Sequence, residues 1–469
     1  MPTTVPPSVP PPDRPDAAPR PAGLLLVPFR GLRPTRTTDV GAVLMPPYDV
    51  VDEAAARELA ERDAHNAVRL VLPRDPAGEP GGRYAAAAAT LAAWRTDGSL
   101  ALDDEAALYV YEETLPDGHV QRGLLGGVGL TPAEDGIVLP HENTMAGPVT
   151  DRLALLTATA TDLEPIFLVY DGGGPASEVV AAAGSGDPAD PAARPVAEAV
   201  TPDGTWHRLW AVTDPTVLAR VAADLLPRRA VIADGHHRYA TYLRHQAEQH
   251  AAGRGTGGWD RGLAMLVDAS GYGPQVHAIH RVLPGLPLGE AVAGAEGAFR
   301  VERLPDLGRP DDRGDPVGAD AALAVLRDTP GPAFLLSDGH TVHLLRDADP
   351  ARVAAALPGE RSAAWRGLDV AVAHLLLVAE LWGLADSEGV VNYAHSPAEA
   401  LQAAARSGGT ALLLAPTPVE AVAAVAAAGE RMPRKSTLFT PKPATGLVLR
   451  PHDDAEAPGP RRAADVPAR

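Results

Sequence analysis

The sequence predicts an α+β fold: mixed sheets with helices packed on them, in two lobes over residues 23–220 and 221–450, between disordered Pro-rich tails at 1–22 and 451–469. Three observations predict it. Apolar runs of strand length alternate with stretches of helical spacing, without the strict strand–helix–strand repetition of a doubly wound sheet. The 46 glycines and 48 prolines break the chain into short elements. The two ends, "MPTTVPPSVPPPDRPDAAPRPAG" and "PHDDAEAPGPRRAADVPAR", hold too few apolar residues to bury a core of their own.

Taken in order, "LLLVPFRGLRP" is a short buried strand running into a turn, and "PPYDVV" is a Pro-fixed turn that carries Tyr48 and Asp49. Asp52 is placed to cap the helix "DEAAARELAERD", and "GGRYAAAAATLAAWRTDGSL" is a second helix ending near Gly98. "ALYVYEETLPDGHVQRGLLGGVGL" is a hairpin turning at Asp117-Gly118, a pair that accepts the positive φ of a tight turn. "TDLEPIFLVYDGG" is a buried strand and "VLARVAADLLPR" a helix. "RAVIADGHH" begins as a strand that ends at Asp234, and "YATYLRHQAEQHAAG" follows as a helix closed by a glycine. "GLAMLVDASGYGPQVHAIHRVL" is strand, glycine turn, strand, and "WRGLDVAVAHLLLVAELWG" is an apolar core helix. The last ordered part sets short strands beside the helix "VEAVAAVAAAGE". Gly172 to Pro195 and Leu304 to Gly318 read as surface excursions.

Composition narrows the function. A net charge of −19 disfavours broad nucleic-acid binding, which needs Lys and Arg against phosphates, but leaves room for a local basic pocket. The absence of cysteine excludes disulfides, thiolate ligands and a cysteine nucleophile. No run of eighteen apolar residues is present, so no membrane span is expected. The first residues show no basic start before an apolar stretch, and the chain reads as cytoplasmic. Composition does not give the oligomeric state.

Three constellations concentrate the polar chemistry. Asp234-Gly235-His236-His237-Arg238 lies where a strand gives way to a helix, a place that exposes backbone N–H groups and favours an anion. Gly235 admits close backbone approach, and Arg238 can grip a phosphate or carboxylate with paired donors. Asp234 can hold Mg²⁺ or take a proton, and His236 and His237 can donate to a phosphoryl oxygen. The bland reading is a polar turn in which Asp234 caps the helix. In "LPHENTMAGPVTDR", His141 and Glu142 follow a strand end while Asp151 and Arg152 open a helix. Glu142 has the chemistry of a general base and Arg152 that of a charge clamp; the alternative is a capped loop with a salt bridge. In "GERMPRKSTLFTPKPATGLV", Arg434, Lys435, Ser436 and Thr437 cluster with Lys442 in a basic loop with hydroxyls, suited to phosphate oxygens. A Walker A is not among the readings, because the motif lacks its glycine. His280 and Arg281 add a further pair at a strand end, in "VHAIHRVL".

The blocks "VPFRGLRP", "PPYDVV", "LPHENT", "DRLALL", "VIADGHHRYATYL", "IHRVL", "LDVAVAHLLL" and "MPRKSTLFTPKPATGLV" together resemble a conserved bacterial and archaeal family, domain of unknown function 1015. The resemblance runs from about Val27 to Val448 and implies no assigned activity. "IADGHHRYAT" is in addition similar to the Gly-x-x-Arg loop of the ParB and free-serine-kinase superfamily, with Gly235 and Arg238 at the matching spacing. Thr241 stands where that loop commonly has alanine. This likeness implies that Gly235 and Arg238 contact nucleotide phosphate and that an acidic residue serves Mg²⁺ or acts as base.

The expectation is therefore a nucleotide-dependent phosphotransferase acting on a small hydroxylated metabolite, serine or phosphoserine being the candidate. Arg238, Arg434 and Lys435 supply cations, Asp234 the metal contact and Glu142 the base. It requires the three constellations to meet in space. Two alternatives stand beside it: a metal-dependent phosphohydrolase with Asp234, His236, His237 and His141 as ligands, and a non-enzymatic nucleotide or metabolite sensor. DNA binding by analogy with ParB ranks last, given the acidic balance.

Overall fold

A computed structural model describes residues 20–35, 39–76, 79, 81–185, 194–304, 319–387 and 389–453. Most of both expected tails, part of the Gly172–Pro195 excursion and residues 305–318 lie outside the described residues. The fold is α+β, as the irregular alternation predicts.

The larger sheet has nine strands. Its order runs Val138–Pro140, Ala230–Asp234, Ile166–Tyr170, Arg261–Asp268, Val120–Gly129, Leu108–Thr114, Trp206–Val212 and Ala197–Val200, with Leu26–Val27 added beside Val120–Gly129. The hairpin forms as expected: Leu115 and His119 close it, and Gly118 takes φ 88° in the turn. Alternation gives this sheet two apolar faces. Leu108, Val110, Leu124, Leu168, Ile232 and Leu266 pack against helices Gly174–Ala182, Pro215–Leu225 and His236–Ala251. Phe167, Val169, Val231, Met265 and Val267 face the other way.

That second face shares one continuous core with a six-stranded sheet, ordered Arg300–Leu304, Val342–Arg346, Phe334–Ser337, Thr410–Leu414, His280–Leu283, Asn392–Ala394. Strands on both sides of residue 220 thus belong to the larger sheet, and the chain passes to the smaller sheet after Asp268. The expected core helix in "LDVAVAHLLLVAELWG" is buried but underwound over Ala373–Leu381 into a wider, π-type turn: Trp382 N–H reaches the carbonyl of Leu377, five residues back. A separate two-stranded ribbon pairs Gln275–His277 with Leu438–Thr440 of the C-terminal basic segment.

Two local details bear on the site. Asp52 caps Glu53–Arg62 by accepting from Ala55 N–H at 2.8 Å, as read from the sequence. The helix expected to open at Asp151 starts earlier and spans Ala146–Thr159, so Asp151 and Arg152 lie inside it. Among the described residues no helix is long and apolar enough to cross a membrane.

Candidate functional site

Strand pairing assembles the site. Ala230–Asp234 lies parallel to Val138–Pro140, with Ile232 opposite Pro140, so both strands finish at the same end of the sheet. The residues that follow, His141-Glu142 and Gly235-His236, therefore emerge side by side. Gly235 takes φ 92°, a conformation that side chains with a Cβ disfavour, and turns the chain at once into the helix His236–Ala251.

The two histidines of that helix start grip the neighbouring loop. His236 Nε2 accepts from the N–H groups of His141 (3.2 Å) and Glu142 (3.3 Å), and His237 Nε2 accepts from Met145 N–H at 3.1 Å. Burial pushes both below the usual histidine range, which keeps these acceptor lone pairs free of protons. The His141 ring stands edge-on to His236 at 4.6 Å and lies 2.6 Å, through Nδ1, from the carbonyl of Ile232. Its Nε2 faces Thr437 Oγ1 at 3.2 Å, which ties in the C-terminal basic segment. His141 is likewise pushed down by burial, to about 4.

Asp234, Arg238 and Lys442 form a charged chain. Arg238 donates to Asp234 Oδ2 at 2.5 Å and to the carbonyl of Pro165 at 2.6 Å; its Nε is buried without a partner. Lys442 holds Asp234 Oδ1 at 2.6 Å and Asp49 Oδ2 at 2.5 Å. Burial alone would lower the Lys442 ammonium, but Asp234 and Asp49 outweigh it and hold it above the usual lysine value. Burial likewise pushes Asp49 up, and Lys442, aided by Arg238, more than reverses this. Arg238 is thus spent inside the fold, where it orders the start of the helix, with Asp234 between two cations.

These groups surround a cavity of about 910 Å³. Of the expected site residues, His141, Glu142, Asp234, His236, Lys435 and Lys442 line it, so the three constellations do meet. Lys435 sits at φ 55°, a left-handed position unusual for lysine, in a loop held by Arg281. Arg281 donates to the carbonyl of Lys435 at 2.9 Å, reaches that of Arg434 at 3.4 Å, and meets His374 Nε2 at 2.6 Å. The hydroxyl of Ser436 turns back to the carbonyl of Pro433, and the Arg434 side chain is exposed off the cavity wall. Lys435 itself makes no ion pair or hydrogen bond through its ammonium among the described residues, and its charge acts on Glu142. Burial raises the Glu142 carboxyl above its ordinary range, and Lys435 partly offsets this.

The remaining expected residues support the site from outside. Arg152 bonds Asp151 and the carbonyl of Val71, and its guanidinium lies 4.7 Å over the Tyr48 ring, beside Asp49. His280 is buried in the smaller sheet and accepts from Leu414 N–H at 3.2 Å.

A protein-bound Mg²⁺ on Asp234 does not fit this arrangement, because both carboxylate oxygens are already held by cations. In the phosphohydrolase alternative, His141 already uses both ring nitrogens and His236 and His237 their Nε2 on backbone groups and Thr437, and among the described residues no group of three or more His, Asp or Glu is arranged to hold a metal.

Sequence reading missed several cavity residues. Asp49 read as a turn residue; Glu113 and His207 did not stand out at all. One signal was present for Glu113: adjacent carboxylates, Glu112-Glu113, inside the apolar strand "LYVYEET", where an unpaired charge is costly.

Residues 26–371 match a family described as "Protein of unknown function (DUF1015)", in keeping with the sequence blocks. Among solved structures, a free serine kinase in complex with AMP is 13% identical, with 73% of this chain and 92% of that chain covered at a TM-score of 0.31. SbnI from Staphylococcus aureus, with a C-terminal truncation, is 11% identical over 70% of this chain and 87% of its own, at 0.29. A conserved hypothetical protein from Pyrococcus furiosus is 11% identical over 69% and 91%, also at 0.29. TM-scores this low carry no argument about the present chain. No curated protein matches it.

Proposed function

We propose that this chain, which belongs to the DUF1015 family of proteins of unknown function, is a nucleotide-dependent phosphotransferase that acts on a small hydroxylated metabolite, serine or phosphoserine being the candidate. One observation carries the reading: an unpaired cation, Lys435, and a raised carboxyl, Glu142, act on each other on the wall of a 910 Å³ cavity. That volume is at the upper end for small-molecule sites and accommodates a donor and an acceptor together.

Phosphoryl transfer asks for positioning and charge neutralisation more than for covalent chemistry. In the proposed step the acceptor hydroxyl gives its proton to the Glu142 carboxylate. Its oxygen bonds the terminal phosphorus while the bond from that phosphorus to the nucleotide's bridging oxygen breaks, and the electron pair leaves with the nucleotide. Lys435 neutralises the phosphoryl oxygens, and the first N–H groups of the His236–Ala251 helix add partial positive charge. His236 and His237 keep the Glu142 loop in place. No step is routed through a metal held by the protein.

The test is a thermal-shift titration of wild type and Lys435→Ala with ATP, ADP, CTP, inorganic phosphate and phosphoserine, each with and without Mg²⁺. A ligand that binds only the folded state raises its stability. The expected result is a nucleotide shift in wild type that is lost in the variant, followed by turnover that Glu142→Ala abolishes while binding persists. Binding with no turnover in wild type favours the sensor; absence of any nucleotide shift refutes the proposal.

A further inference from the structure

Glu113 lines another part of the cavity wall and has no role in the transfer just described. Its strand, Leu108–Thr114, lies inside the larger sheet, and alternation sends neighbouring side chains to opposite faces. Glu112 on one face is matched by Arg122 and Arg208. Glu113 on the other face is 2% exposed and, among the described residues, pairs with no lysine or arginine, its nearest basic group being His207 Nδ1 at 3.8 Å. What it has is a line of hydrogen-bonding groups leading outward. Glu113 Oε1 is 2.9 Å from Tyr111 Oη, which is 2.9 Å from His207 Nδ1. His207 Nε2 is 3.1 Å from Thr201 Oγ1, which is 2.6 Å from Asp203 Oδ1. His207, Thr201 and Asp203 line the same cavity as Glu113, and Asp203 is exposed, so the line runs along the cavity wall and joins a buried carboxyl to water.

We propose that Glu113, Tyr111, His207, Thr201 and Asp203 form a proton wire, with Glu113 as its inner end at the cavity and Asp203 as its outlet to solvent.

Each link can carry a hydrogen either way, and the line has two complete settings. In the first, protonated Glu113 donates to Tyr111, Tyr111 to His207 Nδ1, His207 Nε2–H to Thr201, and Thr201 to Asp203. In the second, Glu113 is ionised, every hydrogen has moved one place outward, and the displaced proton has left Asp203 for water. At each link one bond to hydrogen breaks and one forms, the broken bond being O–H except at His207 Nε2, where it is N–H, so protons balance. The two settings differ in one visible feature: neutral His207 carries its hydrogen on Nε2 in the first and on Nδ1 in the second.

The surroundings suit both settings. Burial pushes Glu113 up to about 7, against hydrogen bonds from Tyr111, Ala444 N–H and Gln121 that favour its charged form, and Asp203 pushes it slightly further up. Burial pushes His207 down to about 4, so it stays neutral and relays a proton by changing tautomer. On the neighbouring strands Arg122 and Arg208 are committed to Glu112, and Lys442 of the 441–444 segment is committed to Asp49 and Asp234. The wire stands whether or not the cavity's ligand is a nucleotide.

The test is ¹⁵N NMR of the full chain labelled at histidine, with His207 assigned through His207→Gln, over pH 5.5–8.5. Expected is a change of His207 from the Nε2–H to the Nδ1–H tautomer, with a midpoint near 7. Glu113→Gln, whose amide donates to Tyr111 as the protonated acid does, holds the Nε2–H tautomer throughout. Tyr111→Phe removes the link and leaves His207 in one tautomer, which serves as a second arm if Glu113→Gln does not fold. A wild-type His207 that keeps one tautomer across the range, or a switch that survives in either variant, overturns the wire.

Discussion

Replacing Glu113 by glutamine changes stability by an amount whose sign depends on pH. In the folded chain burial lifts the carboxyl from 4.5 to about 7. Between those values the folded state holds a proton that the unfolded state has released, so stability falls as pH rises through this window and is level above it. A displacement of about 2.5, at about 1.4 kcal/mol for each pH unit, makes the ionised carboxylate cost about 3 kcal/mol at pH 8. The uncharged amide of the variant removes that cost. Its NH₂, donating to Tyr111, also takes the place of the Oε1 that accepts from Ala444 N–H at 3.3 Å in the wild type, and the loss of that bond costs about 1 kcal/mol. Glu113→Gln is therefore about 2 kcal/mol more stable than wild type at pH 8 and about 1 kcal/mol less stable near pH 4.5. Urea unfolding followed by fluorescence of the six tryptophans measures both ends. Groups titrating elsewhere cancel in the difference between the two proteins. A difference that is the same at pH 5 and pH 8 refutes the reasoning.

Three further outcomes are expected. Lys442→Met leaves Asp49 and Asp234 without their shared ammonium and destabilises the chain by about 1–3 kcal/mol at neutral pH, between the costs of breaking an exposed and a buried pair. The part of this loss that falls on Asp49, whose carboxyl Lys442 holds below its ordinary value of 3.8, shrinks as pH falls below that value; calorimetric melting temperatures at pH 7 and about pH 2.5 would show it, and an equal loss at both would count against the pairing. His236→Phe removes the acceptor of two backbone N–H groups, so amide hydrogen exchange at residues 141–142 speeds up more than elsewhere in the larger sheet, while unchanged exchange there would exclude the grip. Finally, burial holds His141, His207 and His280 neutral, each down to about 4. Below 6.5 the unfolded state takes up protons that these rings refuse, so they withdraw stability as pH falls from 6.5 toward 4. Melting temperature should fall across that interval; a flat profile would mean that their burial has been misjudged.

Much of the fold could be read from local pattern. The Asp52 cap, the Asp117-Gly118 hairpin and the strand ending at Asp234 followed the rules of short-range sequence. The candidate site was legible as composition, since polar groups gathered at three junctions of otherwise apolar chain. The roles were not, because they depend on partners distant in sequence. Lys442 neutralises Asp49 from 393 positions away, which turned an apparent turn residue into a wall of the cavity. His236 and His237 read as donors to phosphate until the parallel pairing of 138–140 with 230–234 set the 141–145 backbone against them. Glu113 needed the 206–212 strand beside its own to bring His207 within reach of Tyr111.

The charges of the site also explain why the most conspicuous arginine is a poor guide to the ligand. A buried guanidinium must be satisfied before any ligand arrives, and Arg238 meets that need with Asp234 and the Pro165 carbonyl. Asp234, held by Arg238 and Lys442, is then closed to a metal, and Lys442 is fixed between two aspartates. Of the cations on the cavity wall near Glu142, Lys435 alone among the described residues is left with its charge unspent, on a loop that Arg281 holds from behind. A ligand anion adds stability where it meets an uncompensated charge, and gains little from a cation that must first give up a carboxylate. On the proposed reading the phosphate therefore sits at the unpaired Lys435, and Arg238→Ala should act on folding before it acts on affinity.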